Sequence, residues 1–545
     1  MTSACNMTEN RLQKLITGIE NEYKPLFKAG NDAYWIGTLT GSEADFEKYA
    51  KANLALTKLF SDPVRFAELK QIKEEGRVSD PLLQRQLDEL YNHFLGNQAD
   101  PALLEQIINK ESALEQKYAS FRAVYRDEPI DDNQVEEFLR TSYNSYTLKT
   151  VWEAHKAIGP TVAKDIIEVV KLRNKLAQSL GFENYHSMSL QLSGEDPQTI
   201  SDLMDELDAL TRDSFNELKE QLDSYLAVRY GCRPQDLRPW HYQNRYFQEA
   251  PNLYPVDLDK YYKDANLEEL TSNFYKSIGL DITKVLANSD LYPRNGKNQH
   301  AFCADMDSEG DIRVLCNIVP GEKWMGTMLH EFGHAVYALG HDNPELPIFL
   351  RDAAQTFTTE AIAMLFGRLS SNPNWIKRSL GISDDEANAI SEDCAKTLRL
   401  SQLVCSRWYQ VMYRFEKSMY ANPDQDLNKL WWDLVEQYQG MKRPENRDMP
   451  DWATKIHIAL YPCYYHNYQL GEVFASQLHY YIVKNVIKSE DYAGECYVDR
   501  PEVGKWLNEN IFTAGKRYPW NEMIERATGE KLTAKYFQMQ FCNTK

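Results

Sequence analysis

Cysteine is scarce in this chain: nine in 545 residues, scattered, with no C-x-x-C pair. That spacing argues against thiolate metal sites, and an odd number leaves at least one thiol unpaired if the chain is exported. Cys303 and Cys316 flank a predicted hairpin; a disulfide between them and two reduced, buried thiols are both open. No run of 18 apolar residues occurs, which excludes a spanning helix of the usual kind. Basic charge is also short. Lys and Arg number 61 against 80 Asp and Glu, a net charge of −19 with no basic stripe. Nucleic acid and anionic membrane are poor partners for such a surface. Pro/Gly/Ser linkers, internal repeats and low-complexity stretches are missing too, so residues 1–545 read as one domain despite their length.

What is present is mostly amphipathic helix. Leu104, Ile107, Ile108, Leu114, Tyr118 and Phe121 recur at helical spacing. Ile166 to Leu180 does the same and stops at Gly181, and Asp205 to Tyr230 forms another long periodic segment. One stretch breaks the pattern. Phe302 to Asp307, a Ser308-Glu309-Gly310 turn, then Ile312, Val314, Cys316 and Ile318 at period two predict a β-hairpin. An extended peptide could add to its edge.

Directly after the hairpin comes His330-Glu331-Phe332-Gly333-His334. Two histidines four apart share one helix face, so both imidazoles can reach one metal ion. Glu331 can then address a water at the metal rather than the metal itself. The flanks (Met325, Met328, Leu329, Phe332, Ala335, Val336, Ala338, Leu339) are apolar, so the helix is expected to be buried, with Gly340 as its stop and His341 as its cap. A catalytic zinc needs a third protein ligand and an open position. Glu360 lies 26 residues after His334, in the first turns of a second apolar helix, where an unpaired carboxylate is costly. The expected ligand set is therefore His330, His334 and Glu360. Two imidazoles and a carboxylate favour zinc, with cobalt or manganese as substitutes in vitro.

With these residues in place, the chain resembles the angiotensin-converting-enzyme family of peptidyl-dipeptidases. The resemblance runs over nearly the whole length. It is carried by Ala33-Tyr34-Trp35-Ile36-Gly37-Thr38, by Trp152-Glu153-Ala154-His155-Lys156-Ala157-Ile158-Gly159-Pro160, and by Leu172-Arg173-Asn174-Lys175-Leu176-Ala177. His300-Ala301, Arg351 ahead of Glu360, Lys455-Ile456-His457 and the pair Tyr465 and Tyr468 complete it. It implies a bacterial-type, single-domain member, shorter than the animal catalytic domains.

The fold implied is mainly α. It is an ellipsoidal helical zincin of the gluzincin type, with two lobes flanking a deep cleft, an N-terminal helical lid and a small hairpin beside the metal helix. The activity implied is removal of dipeptides from free C-termini of oligopeptides. Glu331 is then the base that serves the attacking water, and His457 and Tyr468 stabilise the transition state. Lys455 with Tyr465 takes the C-terminal carboxylate, Gln243 is its further ligand, and His300 with the Ala301 backbone binds the peptide. Two positions depart from the family. Asn467 stands where an arginine helps to hold an activating chloride, so that contact is lost. Met364 stands where an aspartate orients a zinc histidine, and Asp352 is the substitute guessed for it.

A thimet-type oligoendopeptidase shares H-E-F-G-H and a tyrosine-rich segment, and is the alternative enzyme. A zinc-binding relative without turnover is the alternative from a different class. Thr2-Ser3-Ala4-Cys5 resembles the end of a bacterial lipoprotein signal, with Cys5 as the lipidated residue; a plain cytoplasmic start is the other reading. Oligomeric state has no signature in the sequence.

Overall fold

Four helices begin at an Asp-Pro pair: Pro63–Glu75, Pro81–Gly96, Pro101–Ser120 and Pro197–Tyr230. In each, the aspartate side chain accepts from an otherwise orphaned first-turn N–H, and the proline occupies a position whose N–H has no helical partner. This punctuation sets helix boundaries through much of the computed structural model, which describes residues 2–542, with side chains from residue 7 onward. Cys5 therefore lies outside the described side chains. The mainly helical expectation holds, with two small antiparallel sheets among the described residues.

Residues group into two compact units, each assembled from separated stretches. The first comprises Met1–Gln98, Val256–Glu392 and Leu470–Tyr536; the second comprises Ala99–Pro255, Asp393–Gln469 and Phe537–Lys545.

In the first unit, the helices Thr2–Thr40, Glu43–Phe60, Pro63–Glu75 and Pro81–Gly96 share a core of Leu12, Ile16, Ile19, Leu69, Ile72, Leu87 and Phe94. The predicted hairpin is there, Phe302–Asp305 paired with Ile312–Leu315. Its turn is held by Asp305, which accepts from the Asp307 and Ser308 N–H groups, and by Gly310 at φ 100°. The register sets Cys303 opposite Val314, so Cys316 sits two residues further along the facing strand. No Cys303–Cys316 disulfide forms, and both remain thiols.

The second unit holds the three periodic segments read from the sequence. They are the helices Pro101–Ser120, Gly159–Ser179 and Pro197–Tyr230, the last two closed by Gly181 and Gly231 at positive φ. The Trp152-to-Pro160 motif is structural here. Trp152 packs on Trp240 and Trp432, and a Cβ on Gly159 would stand 2.6 Å from the Pro450 carbonyl oxygen. A second hairpin, Ala123–Tyr125 with Glu128–Ile130, was not anticipated. Its two-residue turn places Arg126 and Asp127 at φ 52° and 63°, a conformation with no glycine to announce it.

Candidate active site

The helix Glu322–His341 buries Met325, Met328, Leu329, Phe332, Ala335 and Val336. Each of these side chains except the Ala335 methyl gains about 1.5–3 kcal/mol from burial, so the helix is fixed firmly in its unit. Gly333 is the point of closest approach to the next helix, Thr356–Gly367: a Cβ there would lie 2.9 Å from the Ala363 Cα. That crossing lets a carboxylate on one helix reach imidazoles on the other. Gly340 is not the helix stop expected from the sequence. The helix continues to His341, and a Cβ at 340 would come within 2.2 Å of the Phe512 Cβ. Its reason is packing, with no call on backbone freedom. His341 ends the helix, its Nδ1 3.1 Å from Asp342 Oδ1.

Glu360 Oε2 lies 3.7 Å from His330 Nε2 and 3.9 Å from His334 Nε2, and all three donors fall within 4.8 Å of one another. Zinc bonded at about 2.0–2.2 Å to two imidazoles and a carboxylate in a tetrahedron needs donor separations of roughly 3.3 Å. The observed set is slightly wider and would close on the ion by small side-chain movements. Burial pushes His330 down to about 4, and burial with the neighbouring His330 pushes His334 down to about 3. Both rings are thus neutral, as metal ligands must be. Glu331 is 8% exposed, and burial followed by repulsion from Glu360 raises it to about 8. A cation among the donors would offset that repulsion.

His334 uses its second nitrogen as well: Nδ1 is 2.7 Å from Thr359 Oγ1. This contact was not read from the sequence. Asp352, the residue guessed for such a role, instead pairs with Lys516 at 2.8 Å. Met364 packs toward Gly471, its sulfur 3.2 Å from where a Cβ on that glycine would be.

His300 and Ala301 lead into the hairpin on the same unit. His300 is exposed, and its N–H donates to Asn298 Oδ1. The segment is pinned from below by Lys297, whose buried ammonium donates to the Asp290 and Tyr292 carbonyls and to the Asp290 carboxylate. The hairpin packs on the metal helix. The thiols of Cys303 and Cys316 are raised by burial first, and then by the Glu331 charge.

The remaining predicted residues belong to the second unit and form a constellation of their own. Lys455 is buried, and its ammonium lies 4.9, 5.5 and 5.8 Å from the ring centres of Tyr246, Trp408 and Tyr465. It donates to Gln248 Oε1 at 2.8 Å, and among the described residues no carboxylate comes within ion-pair distance. The amide beside Lys455 is therefore that of Gln248. Gln243, the residue expected there, sits at φ 60° in a run of turns and accepts from the Asn252 N–H. His457 packs against Tyr465 and Tyr461, its ring centre 5.1 and 5.5 Å from theirs, with Nδ1 unpartnered. Burial, then Lys455, lowers it to about 4. Tyr468 stacks on Tyr409 and meets Tyr465 edge-on. Asn467 donates its side-chain amide to the Tyr464 carbonyl.

Comparison with known proteins places this geometry. A model of peptidase family M3 matches residues 138–542, a span that includes His330, Glu331, His334, Glu360 and Lys455. A model of angiotensin-converting enzyme matches residues 6–231. Thermostable carboxypeptidase 1 of Pyrococcus furiosus is 22% identical over 498 residues, 85% of this chain and 90% of that protein. The oligopeptidases A of Salmonella typhimurium and Escherichia coli are each 24% identical, over 54% of this chain and 53% of their own length. Both matched families are zinc-dependent, which agrees with the His-His-Glu group. The chain is a zinc metallopeptidase that belongs to peptidase family M3 and is akin to angiotensin-converting enzyme through its N-terminal part.

Proposed function

We propose that the protein removes dipeptides from the free C-termini of oligopeptides. The observation that carries this reading is Lys455, a buried ammonium walled by aromatic rings and given an amide but no carboxylate. A cation in a dry, aromatic setting with no carboxylate at ion-pair distance is matched by a ligand carboxylate. Lys455, Gln248 and Tyr465 are assigned to that carboxylate.

Zinc bound by His330, His334 and Glu360 would supply Lewis-acid polarisation of water and of the scissile carbonyl. Glu331 takes a proton from the attacking water as the new C–O bond forms. It then delivers that proton to the departing amine as the C–N bond breaks. His457 and Tyr468 are assigned to donate to the carbonyl oxygen as it gains negative charge. His300 and the Ala301 backbone are assigned to hold the peptide strand. The carboxypeptidase name of the Pyrococcus relative, which matches 85% of this chain, supports action at C-termini.

A second reading is an oligoendopeptidase. It is favoured by the M3 match across the whole metal region and by the oligopeptidase A relatives. Mass spectrometry of a short peptide incubated with zinc-loaded protein separates the two. Products shorter by two residues at the C-terminus support the dipeptidase, and internal cuts overturn it in favour of the oligoendopeptidase.

A further inference from the structure

We propose that Thr359 is a positioning residue of the metal centre, its hydroxyl accepting the His334 Nδ1–H and thereby aiming Nε2 at the ion. The argument starts from proton count. A neutral imidazole carries one N–H, and a metal-binding nitrogen must present a lone pair. His334 points Nε2 toward Glu360 Oε2, 3.9 Å away, and Nδ1 toward Thr359 Oγ1, 2.7 Å away. If Nε2 is the ligand atom, Nδ1 holds the hydrogen, and a hydroxyl at 2.7 Å is its acceptor. The opposite tautomer would place a hydrogen on Nε2, facing the other donors, and would block the ion.

The neighbouring threonine shows that the assignment is specific. Thr358 donates its hydroxyl to the Gln355 carbonyl at 2.7 Å and meets the Tyr337 hydroxyl, so it serves the helix start and the core. Thr359 alone of the pair turns to the imidazole. It is also bonded in sequence to Glu360, so one peptide unit carries a ligand and the group that orients another ligand. A shift of the helix Thr356–Gly367 would displace both together. A hydroxyl is a neutral acceptor and lends the ring less basicity than a carboxylate would. This inference rests on the metal centre and is independent of where the peptide is cut.

The test compares Thr359→Val, which keeps the shape and removes the acceptor, with Thr359→Ser, which keeps the acceptor. Zinc affinity is measured by competition with a chromogenic chelator, and the His334 ring nitrogens are followed by ¹⁵N NMR in the zinc-loaded protein. Loss of such a partner typically weakens metal binding about 10- to 100-fold. The expected result is that loss in Thr359→Val, near-normal affinity in Thr359→Ser, and an Nδ1 signal of the N–H type in the parent protein. Equal zinc affinity of Val and parent, or an unprotonated Nδ1 in the loaded parent, overturns the proposal. Should Thr359→Val fail to fold, Thr359→Ala against Thr359→Ser gives the same contrast: weakened zinc binding in Ala alone supports the proposal, and equal binding overturns it. Kinetics at saturating zinc add a further check: kcat falls while KM holds if the threonine acts through His334, and a change in KM alone overturns that role.

Discussion

Replacing Lys455 by methionine should erase the enzyme's preference for a free C-terminus while sparing peptides that lack one. Lys455 is 8% exposed, and its ammonium is bonded to Gln248 Oε1 with no carboxylate at ion-pair distance among the described residues. A charge-assisted hydrogen bond to a substrate carboxylate is worth about 1.5–3 kcal/mol. At about 1.4 kcal/mol per tenfold, that is roughly a 10- to 150-fold advantage in kcat/KM for a free acid over the same peptide as its amide. The assay is that ratio, measured in parent and Lys455→Met. The parent should show the advantage, and the variant should bring the ratio near one by lowering only the acid. Burial pushes the lysine from 10.5 down to about 7, with Arg245 adding to the effect. In the free enzyme the charge is therefore lost as pH rises through about 7, and the acid preference should decline above that point. Stability gives an independent sign. Between pH 7 and 10.5 the unfolded chain holds the proton that the folded lysine has released, so the burden of burying it lightens as pH rises. It is fully present below about pH 7, on the order of 5 kcal/mol from the size of the shift. Lys455→Met should accordingly melt higher than the parent at about pH 6, and the gap should narrow toward about pH 10. An acid-to-amide ratio near one in the parent, or one unchanged in the variant, would refute the assignment.

Three further outcomes are expected. Glu331→Gln should lower kcat by at least about 10²- to 10⁴-fold while zinc stays bound, as metal analysis of the purified variant would show; retained activity removes Glu331 as the base. Glu360→Ala should release zinc to a chelator that leaves the parent loaded, since two imidazoles alone make an incomplete site; a fully loaded variant removes Glu360 as a ligand. Gly340→Ala should cost about 1–3 kcal/mol or more by driving a methyl into Phe512, read as a lower melting temperature with the metal motif itself untouched.

The metal centre was legible because its logic is local. A spacing of four on an apolar helix states which face the histidines share, and a carboxylate opening a second apolar helix has few reasons to be there. The contacts that escaped reading depend on how elements cross. Thr359 and Glu360 are adjacent on one helix, about a third of a turn apart. Only the Gly333–Ala363 approach decides which of them faces which imidazole. The same holds for Gly340, whose meaning lies in Phe512, far along the chain. Gln243 and Gln248 flank a run of turns, where no periodicity tells which amide meets Lys455. The hairpin at Ala123–Ile130 was missed because its turn residues, Arg126 and Asp127, carry no glycine signal.

Because both units are stitched from distant stretches, synthesis and folding cannot run in step. Residues 256–392 leave the ribosome with both histidines and Glu360, yet their own unit still awaits Leu470–Tyr536. Among the late arrivals is Gly471, whose bare backbone nestles against the Glu360 side chain, and a Cβ there would stand 3.1 Å from the Glu360 Cβ. For the time needed to translate roughly a hundred residues, about 5–20 s at ordinary elongation rates, the nascent chain carries its metal ligands beside an unfinished wall.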